Sequence, residues 1–487
     1  MVNAECGMRN AERATVEPPN SQFRIHHSAF ICAFRRRTAA WTSILALSAG
    51  TIGVKASQPA AAVDVRTVGP QVVTGRLISF SLLDGAIVQT STEKIQIPAA
   101  DIIRVSVAGV RHVTFPQDTA GSPNALERWG EASISDEAGI PDPESWIITF
   151  TWGDVIGGRV IGARGESVVI KTGGLGELPI PIDAVGRIAS ARTATGYHRK
   201  SLHWLDRASA ERLVRRSAGN PNALERGGVE SVHKAPEWDD DRVLLTNGDV
   251  LRGFISSIDA NGMTIDTGTG PTTVPFRLVV AARLAHAVPP ATPQPYAIVT
   301  LRDGARLTMT GLDWGDGGVE AKLRTQTTVR IDADRVVTVD VIGGRWEWLS
   351  DRHPVSYEQV PMLGPGWEYF AGRNVRGGPL LVAGQPYERG IGVHSRSNLV
   401  FELNGEYREF VTSFGIDDDS GPMADVKVVI LVDGQRRFEK DHIRRGNLFG
   451  PIRLDVTRAG RIELIVDYGD NGDIQDRFDW VEPGLIR

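Results

Sequence analysis

The chain has 487 residues, 41% of them hydrophobic and 23% charged, which is the composition of folded globular material at a length suited to about three domains. Its net charge of −5 leaves no basic excess to neutralise phosphates, so nucleic acid is a poor partner. With 53 glycines and 27 prolines, many turns and short strands are expected.

In chain order, the first feature is "RRRTAAW" from Arg35, followed by the apolar run "TSILALSAGTIGV" and the small-residue stretch "KASQPAAAVDV". A basic region, a short apolar core and an A-x-A-like site have the form of a secretory signal peptide, with cleavage expected near Ala62. The apolar run is too short for a permanent anchor, so the mature chain is expected without a transmembrane helix and outside the cytoplasm, in the periplasm, at the cell surface or secreted. Residues 1–62 form this leader. It holds Cys6 and Cys32, the two cysteines of the sequence, so disulfides and thiolate chemistry leave with it.

Four segments then share one rhythm, beginning at Val72, Ile148, Val243 and Ile298. Three open with a strand and a Gly-containing turn ("WGD", "NGD", "RDG"), and all continue through "G-x-[VIL]" strands to a closing "V-x-x-[IV]". Period-two alternation punctuated by Gly, Asn and Asp predicts small antiparallel barrel-like units over 63–110, 145–190, 241–290 and 291–345. Units of this size are marginal alone, so they are expected to pack on one another as a scaffold, with a protein partner as their alternative use. Loop insertions are expected at 111–144 and 191–240, where "PNALER" occurs twice. The second insertion also carries a predicted helix, "KSLHWLDRASAERLVRRS".

From Trp346 to Arg487 the pattern predicts about eight strands of a jelly-roll β-sandwich. The ordered pieces "WLSD", "G-x-P-L-x-V-x-G-x-x-Y-x-x-G-I-G-V-H-S-x-S", "LNGEYREF", "GIDDD", "VDG" and "DRFDW" resemble the NPCBM type of carbohydrate-binding module, the kind associated with family 98 glycoside hydrolases. The resemblance implies a galactose-binding-like sandwich that holds a polysaccharide or glycoconjugate, galactose-type sugars first, without hydrolysing it.

Residues that could act are few. There is no H-E-x-x-H, G-x-S-x-G or Walker-type loop, and no residues are nominated as catalytic. A glycosidase carboxylate pair is spatial and leaves no spacing to read, so a hydrolase is the remote alternative. His394 sits between Gly392 and a predicted strand, where it can tie backbone groups together or meet a sugar hydroxyl. Arg396, followed by Ser397 and Asn398, is expected to face solvent with a fork suited to hydroxyls. Asp417 and Asp418 of "GIDDDSG" join these candidates, as does Tyr468, with Tyr387 as a second stacking face. Trp480 matches the closing tryptophan of the family and is expected in the core, though it is counted with the candidate ligand residues. In "DYGDNGDIQDRFD", Asp470, Asp473 and Asp476 recur at intervals of three and are the candidate metal ligands, calcium being the cation that such oxygen-rich loops suit. The EF-hand pattern fails there, because Gly469 and Phe478 stand where acids belong.

Overall fold

In the computed structural model, the described residues are 62–108, 144–191, 240–285, 290–315, 318–362 and 366–487. The leader up to residue 61, the insertions over 111–143 and 192–239, and the expected helix lie outside them. Everything described below belongs to one compact unit spanning Ser57–Arg487.

Four consecutive sets of five strands repeat one pairing scheme. In the set Trp146–Phe150, Val155–Arg164, Ser167–Thr172, Gly176–Pro181 and Val185–Ser190, each strand pairs with the next through the fourth, and the last returns to the first. A one-turn 3-10 helix precedes the last strand in every set, at Ala99–Asp101, Ile182–Ala184, Phe276–Leu278 and Ala333–Arg335. The "WGD", "NGD" and "RDG" turns place Gly153, Gly248 and Gly304 at φ of 93°, 90° and 85°, a backbone conformation that a side chain would strain. The first set has no such turn. Its opening strand is Ala62–Thr67, ten residues before the Val72 at which the rhythm becomes evident, and the bend 68–71 connects it onward.

The sets pair two by two through their closing strands. Ile102–Val107 lies antiparallel to Val336–Ile342 with Val105 opposite Val339, and Val185–Ser190 to Val279–Arg283 with Ile188 opposite Ala282. Each of these four residues is the fourth of its strand, so each pair of sets has a local two-fold at the same place. Buried valines, isoleucines and leucines from all four sets merge into one core. Its buried carboxylates are answered. Asp154 accepts from the Thr308 N–H at 2.6 Å and its hydroxyl at 2.7 Å, joining two sets, and Asp241 accepts from the N–H groups of Ile255 and Ala285.

Beyond Trp346 two antiparallel sheets of six and five strands face each other, with a two-stranded hairpin, Leu380–Val382 and Gln385–Tyr387, beside them. One sheet runs Phe370–Ala371, Gly390–His394, Arg477–Ile486, Glu409–Ile416, Phe449–Asp455, with Trp346–Trp348 added on Arg477–Ile486. The other runs Ser356–Gln359, Ser397–Glu402, Arg461–Tyr468, Asp425–Val432, Gln435–Arg444. Between them Trp480 meets Phe414 and Phe478 edge-on, at ring separations of 5.8 and 5.2 Å.

The sandwich is joined to the repeats through buried charge. Arg104, from the first set, reaches Asp340 at 2.5 Å and Glu388 of the sandwich at 3.4 Å, with Glu482 at 3.7 Å. Burial opposes its charge, yet the surrounding Asp340, Glu388 and Glu482 hold its pKa above the ordinary arginine value. Arg66 pairs with Glu482 and lies over the rings of Trp346 and Trp348, which pack with Ile103, Val411 and Ile486.

Candidate functional site

The site lies at the end of the sandwich where Gly390–His394 hands the chain across to Ser397–Glu402. Neither Gly390 nor Gly392 has a positive φ; both are there because the chains pass close. A Cβ at Gly392 would come 2.4 Å from the carbonyl oxygen of Arg373, and one at Gly390 2.6 Å from that of Trp480. The short strand is thereby pressed into the sheet, and His394 leaves it at a fixed point.

His394 is 5% exposed. Its Nδ1 lies 2.8 Å from the carbonyl oxygen of Ser395, which requires Nδ1 to donate and leaves Nε2 as the acceptor of the neutral ring. Burial lowers its pKa, against the Ser395 carbonyl and the charge of Asp473, which raise it, and with Arg477, which lowers it. The ring is stacked on Trp367, with centroids 4.8 Å apart and planes within 5°. Trp367 is itself 37% exposed. Its backbone is pinned on both sides: its N–H donates to Gln359 Oε1 at 2.8 Å, and its carbonyl accepts from the Tyr357 hydroxyl at 2.8 Å. Gln359 also donates through Nε2 to the Ser395 carbonyl at 2.9 Å, so one amide side chain locks the tryptophan and histidine segments together. The result is a tryptophan held from behind by His394 and partly exposed.

Polar groups flank it. Arg396 is exposed, as expected, and reaches Asp467 at 3.8 Å. Tyr468 is 37% exposed on the following residue. Asp473 accepts from the Met362 N–H at 2.7 Å. Beneath, Asp476 accepts from the Ser395 hydroxyl at 2.6 Å and the Asp425 N–H at 3.0 Å, and burial pushes its carboxyl up to about 7 against these two hydrogen bonds.

The remaining sequence candidates divide by burial. Asp417 is fully buried and accepts from Asn374 Nδ2, Leu381 N and Asp419 N, so it organises its loop. Burial, and then the charge of Asp417, raise Asp479 well above the usual carboxylate range. Asp418 fastens the small hairpin through Gly384 N at 2.7 Å. Tyr387, in that hairpin, is partly buried. Trp480 is 0% exposed, and as a ligand residue it is corrected: enclosed by Phe414 and Phe478, it has no face for a sugar. The expected metal set is corrected as well. Asp473 and Asp476 are engaged as described, and among the described residues Asp470 instead joins Asp425 and His442 in the cluster whose ligand atoms converge. Trp367 and Gln359 were not singled out in the sequence, and Asp467 was read only as an acid of the turn "DYGDNGDIQDRFD"; an aromatic directly after the Gly- and Pro-rich stretch "GPG" was the available signal.

Fold and site together define a two-sheet β-sandwich module with a surface aromatic platform. Residues 345–486 match the family model of the NPCBM/NEW2 domain. Among solved structures, the CBM51 of Clostridium perfringens GH95, in complex with methyl-galactose, is 20% identical at a TM-score of 0.26, over 29% of this chain and 99% of that one. The CBM51-2 and INT domains of Clostridium perfringens ZmpB, in complex with GlcNAc, are 23% identical at a TM-score of 0.27, over 39% of this chain and 43% of that one. The tandem CBM51 modules of the family 98 glycoside hydrolase of Streptococcus pneumoniae are 13% identical at a TM-score of 0.27, over 51% of this chain and 71% of that one. No curated protein matches the chain.

Proposed function

We propose that the chain is an exported, non-catalytic glycan-binding protein whose C-terminal sandwich holds a sugar at the Trp367 platform. The observation that carries this reading is the pinned tryptophan stacked on His394, with Asp473 acting on that histidine and the exposed Arg396 two residues beyond it. The apolar C–H face of a sugar ring stacks on such an indole, while its hydroxyls meet a charged and hydrogen-bonding rim; a few fixed polar groups beside an apolar surface is how small ligands are oriented. The match to the NPCBM/NEW2 domain supports the same reading. Galactose-type sugars are the first choice, and the four five-stranded sets serve as the scaffold that presents the module. Export rests on the signal-like segment before Ala62, and no helix among the described residues is long and apolar enough to cross a membrane. A glycan array probed with the full chain tests the proposal. Retention of a defined set of glycans by the wild type and its loss in Trp367→Ala is expected; retention of none, or equal retention by both, overturns it.

A further inference from the structure

Next to the platform, but separate from it, lies a second group of side chains. Asp425 opens the strand Asp425–Val432, His442 lies near the end of the neighbouring strand Gln435–Arg444, and Asp470 stands two residues beyond Tyr468. One ligand atom from each falls within 4.8 Å of the others. His442 Nδ1 is 3.3 Å from Asp425 Oδ2 and 3.9 Å from Asp470 Oδ2. The Asp425 side chain is 1% exposed, and its Oδ1 accepts no hydrogen bond although it is fully enclosed. A carboxylate oxygen taken out of water without a donor costs free energy unless something positive answers it.

We propose that Asp425, His442 and Asp470 form a binding site for a divalent cation of the zinc type. Nitrogen and oxygen atoms set tetrahedrally at about 2.0–2.1 Å from one ion lie about 3.4 Å apart, close to the separations found here. Three protein ligands leave the fourth position to water. The imidazole selects zinc over calcium, which takes oxygen ligands. Asp425, being both buried and short of a partner, is the anchoring ligand. His442 and Asp470 close on the ion from the surface, with side chains 58% and 72% exposed. One group opposes the ion: Arg444 Nη2 donates to Asp425 Oδ2 at 3.1 Å. Its side chain is 60% exposed, so guanidinium and metal compete for the same oxygen and the arginine withdraws into solvent when the ion enters. The site also communicates with the platform by two hydrogen bonds, from Asp425 N to Asp476 and from the Ser395 hydroxyl to Asp476.

The plainer account is that His442 and Arg444 do no more than neutralise Asp425, and the arginine distinguishes the two. The full chain, stripped of metal, is titrated with zinc chloride against a chromophoric chelator, and its melting temperature is followed with and without zinc. Binding of zinc by the wild type, weakened at least about tenfold by His442→Ala and by Asp470→Asn, is expected. Arg444→Ala is expected to tighten it, since the competing cation is gone. Zinc is expected to raise the melting temperature of the wild type and to leave that of His442→Ala unchanged. Both ligand substitutions fall on exposed side chains, so folding does not confound them. Absence of zinc binding, binding unaffected by His442→Ala, or weaker binding in Arg444→Ala would each overturn the site. Calcium binding at these residues that is indifferent to His442→Ala would overturn the assignment to zinc.

Discussion

The repeated sets and the C-terminal sandwich are both antiparallel β-structures with apolar cores, yet they differ in how their buried carboxylates are met. Among the described residues of the repeats, Asp154, Asp241 and Asp340 each have their oxygens met by N–H groups, a hydroxyl or a guanidinium. In the sandwich, Asp417, Asp425, Asp476 and Asp479 are buried at the end that also carries His394, and there the Oδ1 of Asp425 accepts no hydrogen bond while Asp479 has another carboxyl, Asp417, beside it. A body whose buried carboxylates are answered keeps the stability that unpaired acids would cost it. One that concentrates poorly answered carboxylates beside an exposed tryptophan gives up stability at a place where a ligand can supply partners.

The sharpest way to break this contrast is at Arg104. Arg104→Ala leaves Asp340 buried without its guanidinium and removes the charge opposite Glu388 and Glu482, a loss of about 3–5 kcal/mol. Denaturant unfolding of the full chain measures it, and the repeats and the sandwich should lose stability together because Arg104 touches both. A change within error of zero would show that the two bodies are only loosely joined. The same contacts imply that the sandwich cut out at Trp346 loses the cover that Arg66 and Ile103 give Trp346 and Trp348. Binding is therefore best measured on the full chain.

A smaller loss is expected inside the sandwich. His394→Ala removes a buried ring that donates to Ser395 and backs Trp367, at a cost of about 1–3 kcal/mol. Arg396→Ala, on a side chain 55% exposed and only loosely paired with Asp467, should melt close to the wild type and weaken sugar binding. Equal melting of His394→Ala and wild type would move the histidine from support to direct contact.

How much of this was legible differs between the two bodies in the same way. Period-two alternation and the three Gly-containing turns mark the strands of the repeats, because a strand with one face buried leaves that trace in the sequence. The opening strand Ala62–Thr67 was not marked as a strand of the first unit, since "AVDVRT" follows the small residues that also suit a cleavage site. The pairing of closing strands about Val105 and Ile188 leaves no trace, being a choice among equally apolar strands. At the site, His394 and Arg396 were visible through the run "GIGVHSRS". Trp367 was not, since its partner lies further along the chain and meets it only through the pairing of Phe370–Ala371 with Gly390–His394 and the Gln359 amide. The aspartates at intervals of three misled for a related reason: in a turn that leads into a strand, regular spacing does not put side chains on one side. Asp476 goes inward and Asp470 outward.

A finer effect sharpens the electrostatic side of the comparison. Burial holds the folded pKa of His394 below 6.5, with Asp473 and Arg477 as the charges nearest it in effect. As pH falls through about 6.5 the unfolded chain takes up the proton first, so the stability contributed by the neutral ring is complete above that value and declines below it. Asp476 titrates in the opposite sense nearby, so the comparison is with His394→Asn rather than with the wild type alone. The gap in melting temperature between wild type and His394→Asn should be larger at about pH 7.5 than at about pH 5. A gap independent of pH would mean that the ring is not held neutral.

The most direct test of the central claim is the affinity of the full chain for a galactose-type glycan, measured by titration calorimetry for the wild type and Trp367→Ala, with the melting temperature of each recorded alongside. The account predicts binding by the wild type, loss of at least about 1–3 kcal/mol of it when the indole is removed, and little change in melting, because Trp367 is partly exposed. Undiminished binding in Trp367→Ala would contradict it.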